Sequence, residues 1–374
     1  MIGKLIRQPT GYTSFCPNPF PPAEGFRWGD EILNKINEAS KLLTKLDTIA
    51  TLLPDTDLFI SMYIRKDATF SNQIEGTKAT LIDSIEYDSQ TESRTSSDVD
   101  DIIHYIKAIN YSINRLEKFP FSLRFIRELH KVLMENGRAS HFSDPGNFRK
   151  TQNWIGGTNL NNASFVPPTP GDLISGLNDL EKFIHTQDSI NPIIKGGLIH
   201  AQFETLHPFL DGNGRTGRIL ITLYLLHSNS LRTPILYLST YFKQYQQIYY
   251  DRLRDYHNSK IDKWIDFYLD GVIEVAQQAI KTVESVHTLH LSDLELINTL
   301  NKTSRESSYK VLIQLYKQPI VKVSTIQNYT GFTRTGAQKT IDKLVKLGIL
   351  QIRNPEKNYN RSYIHKKYVD IFDD

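Results

Sequence analysis

The chain has 374 residues, 39% of them hydrophobic and 23% charged, with a formal net charge of +3 and a single cysteine, Cys16. That length accommodates two or three domains, and no run approaches the roughly 18 apolar residues of a membrane span. One cysteine excludes an internal disulfide and a cysteine-rich zinc site, and so small a net charge carries no argument about partners.

Met1 to Arg7 lacks the apolar core of a secretory signal, so a cytoplasmic chain without membrane contact is expected. Residues 1–25, with Pro17, Pro19, Pro21 and Pro22, read as an extended N-terminal arm. A helical region is expected over 26–98. Its first helix runs from Asp30 to Leu53, with Ile32, Leu33, Ile36, Ala39, Leu43 and Leu46 at helical spacing. After Pro54 a second helix runs from Asp57 to about Glu75 and closes at Gly76, glycine being the usual residue past a helix end. Polar Gln90 to Asp98 reads as a loop.

A core is expected over 99–286. It begins with helices at Val99 to Glu117 and Leu123 to Asn136, the second closed by Gly137. His130 lies among Ile126, Leu129 and Leu133 and reads as a packed core histidine. Residues 151–157 and 163–168 read as a short hairpin around a polar tip, the one β element expected in the middle of the chain.

The densest chemistry follows, in His207-Pro208-Phe209-Leu210-Asp211-Gly212-Asn213-Gly214-Arg215-Thr216-Gly217-Arg218. Gly212 to Gly217 has the G-x-G-x-x-G spacing of a dinucleotide loop, but no strand feeds it. Upstream, Ile194, Leu198, Gln202 and Leu206 repeat at four, and downstream Ile219 to Leu226 is apolar almost all round, so the stretch links two helices. Glycines let a ligand approach the backbone, and the free N–H groups and positive dipole end of the second helix attract phosphate. Asp211 can hold Mg²⁺ against that phosphate, Arg215 and Arg218 share a helix face on which to clamp it, and His207 can take a proton from a hydroxyl.

A helix from Gln244 to His257 carries Tyr249-Tyr250, and another from Ile261 to Val286 offers Trp264, Phe267 and Tyr268 to the core. From Leu291 onward 14 Lys/Arg face 8 Asp/Glu, a balance of +6. Helices at Ser308 to Tyr316, Ser324 to Tyr329 and Thr333 to Leu347, then strands at Gly348 to Ile352 and Tyr359 to His365 around an Asn354 to Asn358 tip, make residues 291–374 a winged helix-turn-helix. Arg334, Lys339, Lys343, Lys346, Arg353, Lys357 and Arg361 are its candidate phosphate contacts, though a protein-docking or dimer role is favoured over DNA.

The His207 to Arg218 stretch resembles the Fic-family signature H-P-F-x-D-G-N-G-R-x-x-R and matches it at every specified position. The resemblance implies a mainly α fold, with a helical core and a β-hairpin flap. It also implies ATP- and Mg²⁺-dependent transfer of AMP to a Ser, Thr or Tyr hydroxyl of a target protein or of the chain itself, releasing pyrophosphate. It makes His207 the general base and Asp211 the metal ligand. Gly212, Asn213 and Gly214 become the phosphate cradle, Thr216 and Gly217 part of the nucleotide-binding stretch, and Arg215 and Arg218 the anion clamps.

Ser71 to Gly76 resembles the inhibitory motif of autoinhibited Fic proteins, which implies that Glu75 pairs with Arg218 and keeps it from the γ-phosphate. The hairpin resembles the Fic flap, so Ile155, Gly156 and Gly157 border the nucleotide, with Tyr249 and Tyr250 at its adenine edge. A DNA-binding regulator with a nucleotide-sensing Fic core and an enzyme that removes AMP at the same site are the alternatives. A Fic-type kinase fits less well, because its pattern has lysine where Gly214 stands. The sequence leaves monomer and homodimer both open.

Overall fold

A computed structural model describes residues 1–53, 56–87, 97–135, 143–356, 359 and 361–373. Pro54, most of the 90–98 loop, Gly137 and Lys357 lie outside the described residues.

The helices are α1 (Asp30–Ala50), α2 (Thr56–Ile74), α3 (Leu81–Tyr87), α4 (Ser97–Leu116), α5 (Leu123–Met134), α6 (Pro170–His185), α7 (Pro192–Leu206), α8 (Asn213–His227), α9 (Ser239–Gln244), α10 (Gln246–His257), α11 (Ile261–Asn298), α12 (Lys302–Leu315), α13 (Val323–Thr330), α14 (Arg334–Lys346) and α15 (Lys366–Asp373). The centre is the α7/α8 pair. All of α7 except its first residue, Pro192, is buried, and α8 is buried from Arg215 to Leu225, the second as expected of a helix apolar on nearly all sides. Close packing here needs glycine: a Cβ on Gly197 would stand 2.7 Å from the Tyr268 ring. Trp264 Nε1 donates to the Gly197 carbonyl at 2.9 Å.

Around this pair α1 lays its buried stripe of Ile32, Ile36, Ala39, Leu43 and Leu46 against α11. Lys35 fixes the register there by reaching Asp266 and Asp270 of α11 at 2.6 and 2.7 Å.

The N-terminal arm is corrected to a hairpin. β1 (Gly3–Arg7) pairs antiparallel with β2 (Thr13–Pro17), Gly3 opposite Pro17 and Arg7 opposite Thr13. The prolines that suggested an extended arm begin only where β2 ends, so they leave the ladder intact. Phe15 N donates to Val166 O at 2.9 Å, which sets the hairpin against the flap. The flap itself is reduced to one antiparallel bridge, Ile155 to Phe165.

At the C-terminus β3 (Ile320–Lys322), β4 (Gln351–Ile352) and β5 (Ser362–Ile364) form an antiparallel sheet in the order β3-β5-β4 beside α12 to α15. The sequence reading contained neither β3 nor α15. α15 returns to the N-terminal helices, placing Phe372 5.8 and 5.7 Å from the rings of Phe59 and Tyr63 on α2, and Arg353 pairs with Glu86 of α3.

The helix expected to end at Val286 is α11, unbroken through Asn298. The 286–291 boundary therefore falls inside a helix; no glycine or proline stops it there, and the helix goes on to bury Asp293 and Ile297. Asp293 Oδ2 receives His365 Nε2 at 2.8 Å and the Tyr316 hydroxyl at 3.0 Å, all of them buried. Removing the carboxylate strands two polar groups away from water. Asp293→Ala is accordingly expected to lower unfolding free energy by about 3 kcal/mol, measured by urea titration.

Candidate active site

The link between α7 and α8 is held in one shape by side chains that the sequence did not single out. His207 closes α7 with φ +46°, a left-handed conformation uncommon outside glycine. Arg149 over-determines it: its guanidinium donates to the carbonyls of His207 (2.9 Å), Pro168 (2.6 Å) and Leu206 (3.3 Å). Asn153 Nδ2 adds bonds to the carbonyls of His207 and Phe209 at 3.3 and 2.9 Å. Nothing in the sequence marked Arg149 beyond its place in a turn.

His130 is a core histidine as expected, but it also fastens the loop. Its ring stacks on Phe209 at 3.6 Å, Nδ1 accepts from Gly146 N and Nε2 meets the Asp211 carbonyl at 2.9 Å. Burial pushes its pKa down to about 4, which suits a ring that must accept at Nδ1 and donate at Nε2.

Inside the loop the expected ligands divide into two groups. Asn213 turns inward, its side chain bonded to Phe209 N and O at 2.8 Å each. Thr216 Oγ1 bonds back to the Gly212 carbonyl at 2.8 Å, and Gly217 abuts α7, where a Cβ would lie 2.5 Å from Glu204 Oε1. These three build the loop and the helix contact. Gly212 opens α8 at φ +77° with no side-chain cap, so the first-turn N–H groups remain free donors. Arg215 Nη2 sits 3.6 Å from Asp211 Oδ2. The Asp211 carboxylate, about half exposed, also accepts Gly212 N at 2.7 Å.

A cavity of about 500 Å³ opens beside this loop and gathers His207, Gly214, Arg218, Glu75, Ile155, Gly156, Tyr249 and Tyr250. Gly157 lies outside it, its backbone turned at φ +69° against Asn162. Tyr249 is buried, its hydroxyl 2.9 Å from His200 Nε2, while Tyr250 forms an exposed rim. The cavity also takes in Glu204, Phe165, Arg254 and His257, none of them foreseen. The ring of His257 stacks on Phe165 at 3.8 Å, and Phe15 of β2 backs the Phe165 ring at 5.6 Å. Glu204 had one legible signal, a carboxylate one turn before His207 and the only acidic residue of its helix.

Across the cavity Arg218 is held through Nη2 and Nε. Nη2 donates to Glu75 Oε1 at 2.7 Å and to the Ser71 carbonyl at 3.0 Å, and Nε donates to Ser71 Oγ at 2.8 Å. Gly214 makes the approach feasible, since a Cβ there would lie 2.5 Å from Glu75 Oε1. Burial pushes the Glu75 carboxyl up, and the Arg218 guanidinium outweighs it, leaving Glu75 below its ordinary value. His207 is pushed down to about 4, first by burial and then by the Arg149 charge. Its imidazole is therefore neutral near pH 7.

Among the described residues no cluster of three or more His, Cys, Asp or Glu could hold a metal. A single carboxylate such as Asp211, which is not among the residues lining the cavity, could hold Mg²⁺ only where substrate phosphates share the ion. No helix of the described residues is long and apolar enough to cross a membrane.

A sequence profile of the Fic/DOC family matches residues 120–225, and one of the Fic/DOC family N-terminal region matches 33–114, together half of the chain. The chain belongs to the Fic/DOC family. It is 31% identical over 170 residues to the protein adenylyltransferase Fic of Drosophila grimshawi, covering 44% of this chain and 31% of that one. With the Drosophila virilis protein of the same name it shares 28% over 202 residues, 50% and 37% of the two chains. It thus spans about a third of the length of these curated relatives.

Among solved structures, a Fic family protein from Desulfovibrio desulfuricans G20 superposes with a TM-score of 0.59 at 15% identity, covering 91% of this chain and 97% of that one. Fic-1 from C. elegans superposes at 0.52 and 19%, covering 68% and 73%. These likenesses establish the mainly α Fic fold of this chain.

Proposed function

We propose that this chain is a protein adenylyltransferase. It transfers AMP from ATP to a Ser, Thr or Tyr hydroxyl of a target protein, itself included, and releases pyrophosphate. The observation that carries the reading is one cavity holding a neutral imidazole, an uncapped helix N-terminus and an arginine. In such a site His207 takes the hydroxyl proton as the hydroxyl oxygen bonds to the α-phosphorus. The N–H groups opening α8 receive phosphate oxygens, and Arg218 clamps the outer phosphates once it is free. Asp211 would hold Mg²⁺, which supplies positive charge against the phosphates. The named relatives, protein adenylyltransferases, support the same reaction.

In the resting chain Arg218 is committed to Glu75 and Ser71, so the reading includes autoinhibition by the end of α2. Incubation with α-labelled and, separately, γ-labelled ATP, followed by intact mass, tests it. One added AMP labelled only from the α position is expected; γ-label on the protein would mean a kinase.

The pH dependence has a sign fixed by His207. Its pKa lies below that of a free imidazole, so the base stays unprotonated down to about 4. The transfer rate is expected to fall as pH drops through about 4, not near 6.5, which an initial-rate pH profile of single turnovers will show.

We read the C-terminal unit as a winged helix that docks protein rather than DNA. Arg353 is tied to Glu86, and Lys343 Nζ donates to Ser304 Oγ at 2.6 Å, which takes two of the candidate phosphate contacts out of use.

A further inference from the structure

Glu204 is the one buried carboxylate in the cavity with no role in the reaction above. Its Oε1 has no hydrogen-bond partner, and its Oε2 lies 3.9 Å from His207 Nδ1, which itself has no well-formed hydrogen bond, although the Glu204 backbone also acts on the ring and favours its proton. The two side chains are one turn apart, on the last turn of α7 and its cap, and the Arg149 and Asn153 bonds described above fix the backbone between them. The space for the carboxyl group exists because residue 217 is glycine. Two complementary groups at this distance, with Glu204 Oε1 and His207 Nδ1 both buried, are brought within hydrogen-bonding range by a side-chain movement of about 1 Å.

We propose that Glu204 is the positioning residue of His207: as a carboxylate it accepts the imidazole Nδ1–H, fixing the tautomer whose Nε2 takes the hydroxyl proton. Resting on the adenylyltransferase reading, the step runs as follows. The target oxygen bonds to the α-phosphorus, the bond to pyrophosphate breaks, and the hydroxyl proton passes to Nε2. The resulting imidazolium keeps its Nδ1–H toward the Glu204 carboxylate, whose charge stabilises it.

The surroundings make this pairing conditional. Glu204 faces His200 and His207 on and beside its own helix, Arg218 of α8, Glu75 at the end of α2, and Tyr249 and Tyr250 of α10. Burial raises its pKa to about 8, Arg218 opposing and Glu75 adding to the rise. Glu204 is therefore mostly protonated in the resting chain at neutral pH and ionises as pH rises through about 8. Removing Glu75 takes away a negative neighbour and moves that ionisation to lower pH. The contact that occupies Arg218 thus also keeps the base without its partner.

The test uses the full chain with Glu204→Gln, a neutral isostere of the protonated acid. In the Glu75→Gly background the two side chains should support equal rates near pH 5. The glutamate chain should then pull ahead as pH rises, by at least about tenfold at pH 9, with KM for ATP unchanged. A purely structural role gives a gap that does not depend on pH. Equal rates at every pH, or a constant gap, would overturn the proposal.

A second arm does not depend on activity. The ¹⁵N signals of the His207 ring, assigned by their loss in His207→Ala, should show an inflection near pH 8 in the wild-type chain that disappears in Glu204→Gln; its absence in the wild type also overturns the proposal. If neither chain incorporates AMP, the adenylyltransferase reading fails while this arm still decides the pairing.

Discussion

His207→Ala lowers AMP transfer by about 10²–10⁴-fold, the usual contribution of a general base, and leaves ATP affinity nearly unchanged. The separation follows from where the two tasks reside. In the proposed reaction phosphate is held by the backbone N–H groups that open α8 and by Arg218, none of which is supplied by the imidazole. The left-handed backbone at residue 207 is held from outside by Arg149 and Asn153 through carbonyl groups, which alanine retains. The measurement is single-turnover AMP incorporation in a Glu75→Gly background, with ATP binding followed by calorimetry. A variant that keeps more than a few per cent of the parent rate removes His207 from the base role. One that loses ATP binding in parallel shows instead that the loop has collapsed.

The contrast between His207 and Arg149 shows what the sequence disclosed of this site. A histidine before a glycine-rich turn and two arginines is a local arrangement, and its chemistry follows from residue types at short spacing. Arg149 acts on the same loop from 58 positions away, and only the fold brings its guanidinium to three carbonyls. The same limit explains Glu204, whose carboxyl group is informative only once it is seen buried and unpaired beside the imidazole.

Among the fold elements, α7 was legible from its four-residue repeat of Ile194, Leu198, Gln202 and Leu206, and α8 because a helix buried on nearly all sides has a continuous apolar sequence over Ile219 to Leu226. β1 and β2 were missed because the proline cluster beyond them dominates the composition of the segment. The end of α11 was misplaced for a related reason. The 286–298 stretch buries polar His290 and Asp293 along with Ile297, so its inward face does not read as apolar. Thr216 and Gly217 fall inside the signature, yet Thr216 bonds back to the Gly212 carbonyl and Gly217 packs on α7, and spacing alone could not separate these packing positions from ligand positions.

Glu75→Gly raises self-modification by about 10²-fold or more, the scale on which misplacement of reacting groups slows a bound substrate. With the carboxylate present, Arg218 spends Nη2 on Glu75 and on the Ser71 carbonyl, and Nε on Ser71 Oγ, so the outer phosphates of ATP enter without their clamp. Glycine at 75 removes the charged partner but leaves both Ser71 bonds, which hold the guanidinium in place and keep it extended toward the cavity. Arg218→Ala is expected to be inactive whether or not Glu75 is present, because the arginine is the element under inhibition, and the double mutant should match Arg218→Ala and not Glu75→Gly. That ordering separates release of a clamp from a general loosening of α2, which would raise the rate of both chains. A further control comes from packing: Phe372→Ala loosens α15 from Phe59 and Tyr63 on the same helix without touching the ion pair, and should leave the rate within about threefold of wild type if the Glu75 to Arg218 contact, not the seating of α2, sets the resting state. AMP incorporated per chain, read for wild type and the four variants at equal ATP, decides among these, and equal rates for wild type and Glu75→Gly would return Ser71 to Gly76 to an ordinary helix end.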